Sequence, residues 1–187
     1  MTRRELLQSF LALGVGSAVT GRAVAAQPAS MKAVADLQKN WKALLAENIK
    51  APLPTEPLKL SADEWRKRLD KMQYGVLRKE DTERAGSSPL NNEKRAGIYA
   101  CAGCDLPLFT SEMKFDSGTG WPSFFTTIPG VFATKEDRYL FLPRTEYHCI
   151  RCGGHHGHVF DDGPPPTHQR WCNNGVALKF IPKTGTA

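Results

Sequence analysis

Five cysteines are the residues of this 187-residue chain whose type and spacing point most directly to chemistry. Four of them form two Cys-x-x-Cys pairs, Cys101 with Cys104 and Cys149 with Cys152. Two such pairs can supply four thiolates to a tetrahedral zinc ion, and nearby glycines let the backbone turn beneath the sulfur atoms. We therefore expect one structural Zn²⁺ bound by all four cysteines, with no coordination position left for catalysis.

Other interpretations of the paired cysteines stay open at this point. Cysteines of an exported protein often form disulfides, and one Cys-x-x-Cys pair could serve a general thiol–disulfide oxidoreductase as a redox dithiol. A non-catalytic zinc module that binds protein or nucleic acid is another alternative, and it predicts a basic stripe. The formal net charge of +6 is spread along the chain without a long Lys/Arg run. We therefore expect no nucleic-acid partner.

Cys172 is the cysteine that is left over once the four ligands are assigned. A buried, inert thiol is one interpretation of such a residue. On a continuous strand over residues 170–181, however, side chains two apart share a face, which would group Arg170, Cys172 and Asn174. The guanidinium should then favour the thiolate and lower the pKa of the thiol. We interpret Cys172 as a nucleophile.

Two further segments could complete a site around this thiol. The segment after the second cysteine pair holds His155, His156 and His158, and strand alternation would put His156 and His158 on one face, with His155 at the turn. A histidine near the thiolate could protonate a departing oxygen, although solvated or core histidines are the alternative. A glycine-rich turn precedes Trp121, which could form an aromatic wall of a pocket or belong to the core.

The elements that must position these residues change in character along the chain. Before the site, the pattern predicts an amphipathic helix over residues 31–49 and a proline-rich linker over 51–57. A second helix with a Ser61–Glu64 capping box is predicted over 61–73, and a polar loop over 82–97. Beyond the loop, short apolar runs between turn signals predict antiparallel strands at 98–101, 108–110, 131–134, 139–142, 145–150, 158–160 and 170–181. The fold class we expect is mainly β with short N-terminal helices.

The first residues of the chain predict export. Arg3 and Arg4 stand directly before an apolar stretch, Phe10–Val19, and small residues follow at 23–26. This pattern is typical of a secretory leader of the twin-arginine type, although a Sec leader or an uncleaved anchor is an alternative. The stretch is too short to span a bilayer stably, so we expect no membrane insertion after signal removal. The expected organisation is a signal peptide at 1–26, an extension at 27–60 and one domain at 61–183, in the bacterial periplasm or otherwise exported.

Together, these segments resemble the methionine-R-sulfoxide reductases of type B, from about Ser61 to Pro182. The resemblance rests on the cysteine pairs and on four motifs in order: Lys114–Phe125, Thr145-Glu146, His155-x-Gly-His158-Val-Phe-x-Asp-Gly-Pro and Arg170-x-Cys172-x-Asn174. It implies two small antiparallel sheets that form one domain around the active site. It also implies a zinc ion held by Cys101, Cys104, Cys149 and Cys152.

The same resemblance implies a reaction on oxidised proteins that contain methionine-R-sulfoxide. Cys172 would attack the sulfoxide sulfur, His155 and His158 would protonate and orient its oxygen, and Asn174 would help to hold the site together. Trp121 would pack against the substrate methyl group and set the R stereochemistry, and Arg170 is the other substrate-binding residue that we expect. The cysteine would become a sulfenic acid, which a small thiol or a thioredoxin-like partner must reduce.

Three positions depart from the pattern of the family. Thr119 stands where many members carry a resolving cysteine, Trp171 replaces a tyrosine, and His156 replaces a leucine. Because the sequence contains no further cysteine, the sulfenic acid on Cys172 cannot be resolved internally without dismantling the zinc site. We expect an external thiol to reduce it directly.

Overall fold

A computed structural model describes residues 27–45, 51–52, 54, 56–138 and 143–183. The predicted signal peptide, the end of the first predicted helix at 46–49 and the predicted strand at 139–142 lie outside the described residues. Three α-helices are present in the described part: α1 Met31–Lys39, α2 Ala62–Arg68 and α3 Lys71–Lys79. None of the helices in this part is long and apolar enough to span a membrane.

Nine strands lie in the described part of the chain: β1 Gly97–Cys101, β2 Pro107–Thr110, β3 Lys114–Phe115, β4 Ser123–Phe124, β5 Phe132–Asp137, β6 Arg144–Cys149, β7 His155–Phe160, β8 Arg170–Asn173 and β9 Leu178–Pro182. They form two antiparallel sheets in the orders β2-β1-β9 and β3-β4-β8-β7-β6-β5. The predicted fold, mainly β with two antiparallel sheets and short helices, is confirmed. The short strands β3 and β4 were missed because two residues are too few to show alternation.

Aromatic rings join the two sheets. Phe109 of β2 stacks on Phe124 of β4 with ring centroids 3.9 Å apart, and Tyr99 of β1 meets the same ring edge-on at 5.1 Å. All three side chains are fully buried. Offset and edge-on pairs stabilise such contacts beyond the area that they bury. The contact fixes β4, which pairs with β8 and therefore helps to position the strand that carries Cys172.

The first predicted helix is confirmed at its start but ends earlier than expected. Helix α1 ends at Lys39 with Asn40 as its C-cap, and a single 3-10 turn, Trp41–Leu44, follows. The helix docks on the β domain, because Val34 is buried and Gln38 Nε2 donates to Thr126 Oγ1 at 2.7 Å.

The second predicted helix is in fact two helices. The Ser61–Glu64 capping box is confirmed at the start of α2, and a second box, Asp70 with Gln73, starts α3. Asp70 Oδ1 accepts from the backbone N–H of Gln73 at 2.8 Å, so the chain caps a new helix where we expected one helix to continue. The second helix extends beyond the predicted end to Lys79.

The prediction of one strand over residues 170–181 is wrong. Strand β8 ends at Asn173, a 3-10 turn spans Gly175–Ala177, and β9 belongs to the other sheet. The two oxygens of Glu83 accept the backbone N–H groups of Gly175 and Val176 at 2.6 and 2.9 Å, which bends the chain away from the ladder. A Cβ at Gly175 would collide with the hydroxyl of Ser88, so only glycine fits at this bend.

Candidate active site and metal centre

The four paired cysteines meet in one buried cluster. Their sulfur atoms all lie within 4.8 Å of one another, with Cys101 Sγ 3.7 Å from Cys152 Sγ and Cys104 Sγ 3.5 Å from Cys149 Sγ. Four sulfurs bound at about 2.3 Å to a tetrahedral zinc would be roughly 3.8 Å apart, so the set fits such an ion. All four thiols are free, and these distances far exceed a disulfide bond of about 2.05 Å.

Both cysteine pairs turn through the same backbone geometry. The residue after the second cysteine has a left-handed conformation, Asp105 at φ 65° and Gly153 at φ 66°. In each turn its N–H donates to the carbonyl of the first cysteine of the pair, at 2.9 Å to Cys101 and 2.8 Å to Cys149. The expected glycine turn is therefore present in the second pair, while the first pair uses an aspartate, which tolerates this conformation better than most residues.

The clustered thiols share protons with one another. Hydrogen bonds with the other three thiols lower the pKa of Cys104, whereas the pKa of Cys101 is raised by hydrogen bonds with its own three neighbours. A divalent cation would replace these shared protons, since metal binding requires deprotonated thiols. The donor set, four buried sulfurs with no oxygen ligand, suits a soft or borderline metal and a structural role.

His156 links this cluster to the strand of the fifth cysteine. The ring is completely buried, with Nε2 3.4 Å from Cys101 Sγ and Nδ1 3.2 Å from Asn173 Oδ1. The hydroxyl of Tyr147 is 2.9 Å from the same Asn173 oxygen and 3.1 Å from the carbonyl of Cys172. Burial lowers the pKa of His156 to about 3. The position that departs from the family pattern thus contacts the cysteine cluster and Asn173, the residue that follows Cys172.

Cys172 lies half-buried in the middle of β8. Its backbone pairs with Ser123 on one side and with His158 on the other. Burial raises the pKa of the thiol, and the charge and hydrogen bond of Arg170 together with a hydrogen bond from Thr119 act against that increase. The expected influence of Arg170 is therefore present, but the expected net lowering of the pKa is wrong because desolvation is the larger effect.

Arg170 is held in place beside the thiol by a carboxylate. Its Nε and Nη2 donate to the two oxygens of Asp162 at 2.7 and 2.9 Å, and its guanidinium stacks over Phe160 at 4.3 Å. A bidentate, stacked guanidinium keeps a fixed orientation. The positive charge beside the sulfur of Cys172 is therefore preorganised.

A β-bulge arranges the histidines differently from the expected alternation. Tyr147 pairs with Gly157, but the next residue, His148, pairs with His155, so β7 carries one extra residue. The bulge places His155 and His158 on one face, with ring centroids 5.6 Å apart, and leaves His156 on the other. The prediction that His156 and His158 share a face is wrong. The two histidines expected to be catalytic, His155 and His158, do lie together on one face.

Each of these two histidines is oriented by a carboxylate. His155 Nδ1 lies 2.8 Å from Glu146 Oε1, and His158 Nε2 lies 2.8 Å from Asp137 Oδ2. Burial would raise the pKa of Glu146, but hydrogen bonds from Lys135 and His155 bring it below 4.5. Burial lowers the pKa of His158 below 6.5, with Asp137 opposing the change. The partner carboxylates fix the ring orientations.

Asn174 does not share the strand face of Cys172, because β8 has ended and this residue begins the following turn. Its side-chain oxygen accepts from the backbone of Glu83 at 3.0 Å, and its amide donates to the carbonyl of His156 at 3.0 Å. Trp121 is half-buried, and its Nε1 donates to the backbone carbonyl of Glu83 at 3.2 Å. Its expected role against the substrate methyl group stays a prediction.

Glu83 is a residue of the site that sequence reasoning missed. Its backbone carbonyl holds Trp121, its backbone N–H donates to Asn174, and its side chain ends the strand of Cys172. It lies in the predicted polar loop beside other acidic residues, and no local spacing distinguishes it from them. The polar loop therefore holds residues of the site in position through Glu83, and it is more than a surface connection.

Comparison with known proteins places this geometry in a family. The sequence model of the SelR domain matches residues 69–182 of the chain. The chain belongs to the SelR domain family. The match covers both cysteine pairs, the histidine strand and Cys172, and it confirms the resemblance drawn from the motifs.

Relatives of this SelR protein extend from bacteria to plants. It is 48% identical over 135 residues to peptide methionine sulfoxide reductase B1, chloroplastic, of Arabidopsis thaliana, which covers 72% of this chain and 67% of the relative. It is 50% identical over 128 residues to the protein of the same name in rice, covering 68% and 60%. It is 50% identical over 125 residues to peptide methionine sulfoxide reductase MsrB of Pseudomonas putida, covering 66% and 93%.

Proposed function

We propose that this protein is an oxidoreductase that reduces methionine-R-sulfoxide in oxidised proteins to methionine, and so repairs oxidative damage. The observation that carries the proposal is the setting of Cys172 in a SelR domain: a half-buried thiol beside a fixed guanidinium, on the strand next to two carboxylate-oriented histidines. The names of relatives that are about half identical to the chain support the substrate class.

In this reaction Cys172 is the nucleophile. The thiolate attacks the sulfoxide sulfur, and His155 or His158 delivers a proton to the sulfoxide oxygen, which turns it into a hydroxyl. The hydroxyl then moves to the cysteine sulfur as two bonds break, the sulfur–oxygen bond of the substrate and the newly formed bond between the two sulfurs, whose electron pair stays on the methionine sulfur. Methionine leaves as a neutral thioether and the enzyme holds a sulfenic acid, so the two electrons gained by the substrate come from Cys172.

The remaining predicted residues position the substrate and the nucleophile. Arg170 stabilises the negative charge at the sulfur, and Trp121 packs against the methyl group of the R epimer. Asn174 holds the end of the nucleophile's strand against the loop of Glu83.

The metal of the proposed enzyme is one zinc ion. Cys101, Cys104, Cys149 and Cys152 would hold it, and because four thiolate ligands leave no position for a substrate, the ion would stabilise the fold and take no part in the reaction. Support comes from the separations of the four sulfurs and from the absence of any oxygen donor among them. The second half-reaction needs an external reductant, a small thiol or a thioredoxin-like protein, because the other four cysteines belong to the cluster.

The proposed location is the periplasm or another exported compartment. The Arg3-Arg4 pair directs export of the folded, metal-loaded protein, removal of residues 1–26 leaves the extension 27–60, and residues 61–183 form the reductase domain. A double change, Arg3→Lys with Arg4→Lys, is expected to keep the protein in the cytoplasm of a bacterial host. Unchanged export of that variant would contradict the twin-arginine route.

The catalytic proposal is tested with each epimer of a methionine sulfoxide peptide, dithiothreitol and the metal-loaded protein. The expected result is reduction of the R epimer alone and loss of activity in Cys172→Ser. Equal activity on both epimers would refute the assignment. Insulin reduction by metal-free protein that survives Cys172→Ser would instead support a general thiol–disulfide oxidoreductase.

A further inference from the structure

Three hydroxyl groups form a chain beneath the proposed nucleophile. Ser123 Oγ lies 2.8 Å from Ser117 Oγ, and Ser117 Oγ lies 2.8 Å from Thr119 Oγ1. The chain begins at Ser123, which is completely buried on β4 and pairs directly with Cys172 on β8. It lies beside Cys172, because the directly opposed side chains of Ser123 and Cys172 share one face of the sheet, and Thr119 acts as a hydrogen-bonding group that lowers the pKa of that thiol.

The turn between β3 and β4 fixes the backbone on both sides of Thr119. Gly118 and Gly120 on either side of it have left-handed conformations, φ 70° and 89°. The carboxylate of Asp116 accepts the N–H of Gly118 at 2.9 Å and closes the first part of the turn. Gly120 in addition passes so close to the loop that an added Cβ would lie 2.9 Å from the backbone nitrogen of Gly86. The position of Thr119 is therefore set by backbone geometry rather than by its own side chain.

We propose that Thr119 is a catalytic residue whose hydroxyl donates a hydrogen bond to the sulfur of Cys172, with Ser117 and Ser123 orienting that hydroxyl. The inference rests on the proposed function, in which Cys172 is the reacting atom. It gives the threonine that stands in place of a resolving cysteine a role of its own in the first half-reaction.

The chain of three hydroxyl groups can hydrogen-bond to the sulfur both as a thiol and as a thiolate, without any movement of heavy atoms. Each hydroxyl has one hydrogen to donate and can also accept. When Cys172 is a thiol, the hydrogens can run from the thiol through the chain to the carbonyl of Trp121, which lies 3.2 Å from Ser123 Oγ. When Cys172 is a thiolate, all three can reverse, so that Ser123 donates to Ser117, Ser117 to Thr119 and Thr119 to the sulfur. Hydrogen bonds in series strengthen one another, so the last bond is stronger than an isolated hydroxyl would provide.

The Thr119 hydroxyl acts together with several charged and polar groups that already influence whether Cys172 is a thiol or a thiolate. On its own strand Arg170 favours the thiolate, whereas Asp162, which binds that guanidinium, disfavours it. From the neighbouring strands, His158 of β7 pairs with Cys172 and the Tyr147 hydroxyl of β6 bonds to its carbonyl. Thr119 approaches from the opposite side, on the turn between β3 and β4, as a neutral donor.

The test compares Thr119→Val, which keeps the branched shape and removes the hydroxyl, with Thr119→Ser, which keeps the hydroxyl. The readout is the pH dependence of Cys172 alkylation by iodoacetamide in metal-loaded protein, followed by peptide mass, because bound metal protects the other cysteines. Thr119→Val should move the pH midpoint of Cys172 alkylation upward by about one pH unit, and Thr119→Ser should leave that midpoint near the wild-type value. Ser117→Ala, which shortens the chain without touching the sulfur, should move it in the same direction by less.

A midpoint that stays unchanged in Ser117→Ala and in whichever of the two Thr119 variants folds as judged by circular dichroism would overturn the inference. Sulfoxide reduction is measured alongside, with kcat expected to fall about tenfold in Thr119→Val at unchanged KM. Alkylation needs no sulfoxide substrate. A shifted midpoint in a protein that reduces neither epimer would support the hydroxyl chain while refuting the proposed function, so the two failures are distinguishable.

Discussion

Glu83→Gln is expected to destabilise the protein although it changes only one atom of a loop residue. The side chain of Glu83 is 2% exposed and accepts two backbone N–H groups, from Gly175 and Val176, at 2.6 and 2.9 Å. These groups open a 3-10 turn, where the first N–H groups have no partner inside the turn. In glutamine one of the two acceptor oxygens becomes an NH₂ donor that faces a donor.

The magnitude follows from the lost contact. A hydrogen bond to a charged group contributes about 1.5–3 kcal/mol, and a buried donor without an acceptor adds a cost of its own, so we expect a loss of about 3 kcal/mol. For a protein of this size that corresponds to a Tm roughly 6–12 °C lower. The matched control is Glu112→Gln, the same chemical change at an exposed glutamate, which should stay within about 0.5 kcal/mol of wild type.

The assay is thermal unfolding followed by circular dichroism, on samples with equal metal content, since metal loss would lower the Tm independently. A Tm for Glu83→Gln no lower than that of Glu112→Gln would refute the idea that this carboxylate ends the nucleophile's strand.

Three further predictions concern the metal cluster, the histidines and the second half-reaction. His156→Leu removes the ring that contacts Cys101 and is expected to speed the loss of the proposed zinc ion to a chelator about tenfold, measured with a colorimetric zinc indicator; an unchanged rate would contradict it. Because the pKa of His158 is lowered on folding, the unfolded state binds its proton first, so stability should decline as the pH falls below 6.5 toward the lower pKa of the folded state. His158→Gln should show less of this decline in urea unfolding at pH 7.5 and 5.5, and an equal decline would exclude His158 as its source. Thr119→Cys should form an internal disulfide with Cys172 after one turnover, visible as the loss of two hydrogens by intact mass, and its absence would show that the two side chains cannot meet.

The cysteine cluster and most strands could be predicted because their signals are local. Paired Cys-x-x-Cys motifs and short apolar runs between turns carry their own geometry, and Ser61 with Glu64 marked the start of a helix. The break after Asn173 could not be predicted in this way. Val176, Leu178 and Phe180 continue an alternating pattern, and what ends the strand is Glu83, a side chain about ninety residues away in sequence.

The arrangement of the histidines shows the same limit. Strict alternation groups His156 with His158, but one extra residue in β7 reverses that assignment. The pKa of Cys172 could be anticipated only in part, since the sequence shows a nearby arginine but not how deeply a strand is buried between two others. Local chemistry was therefore predictable, whereas the contacts that set face, burial and strand ends depend on the tertiary fold.

The most direct measurement of the central claim is a single turnover of metal-loaded protein with a methionine-R-sulfoxide peptide and no reductant. Intact mass should show one oxygen atom gained, dimedone should label Cys172 alone, and one methionine should form per protein molecule with the metal still bound. Dimedone labelling elsewhere, or an internal disulfide at Cys172 in the metal-loaded protein, would contradict a nucleophile that becomes a sulfenic acid and waits for an external thiol.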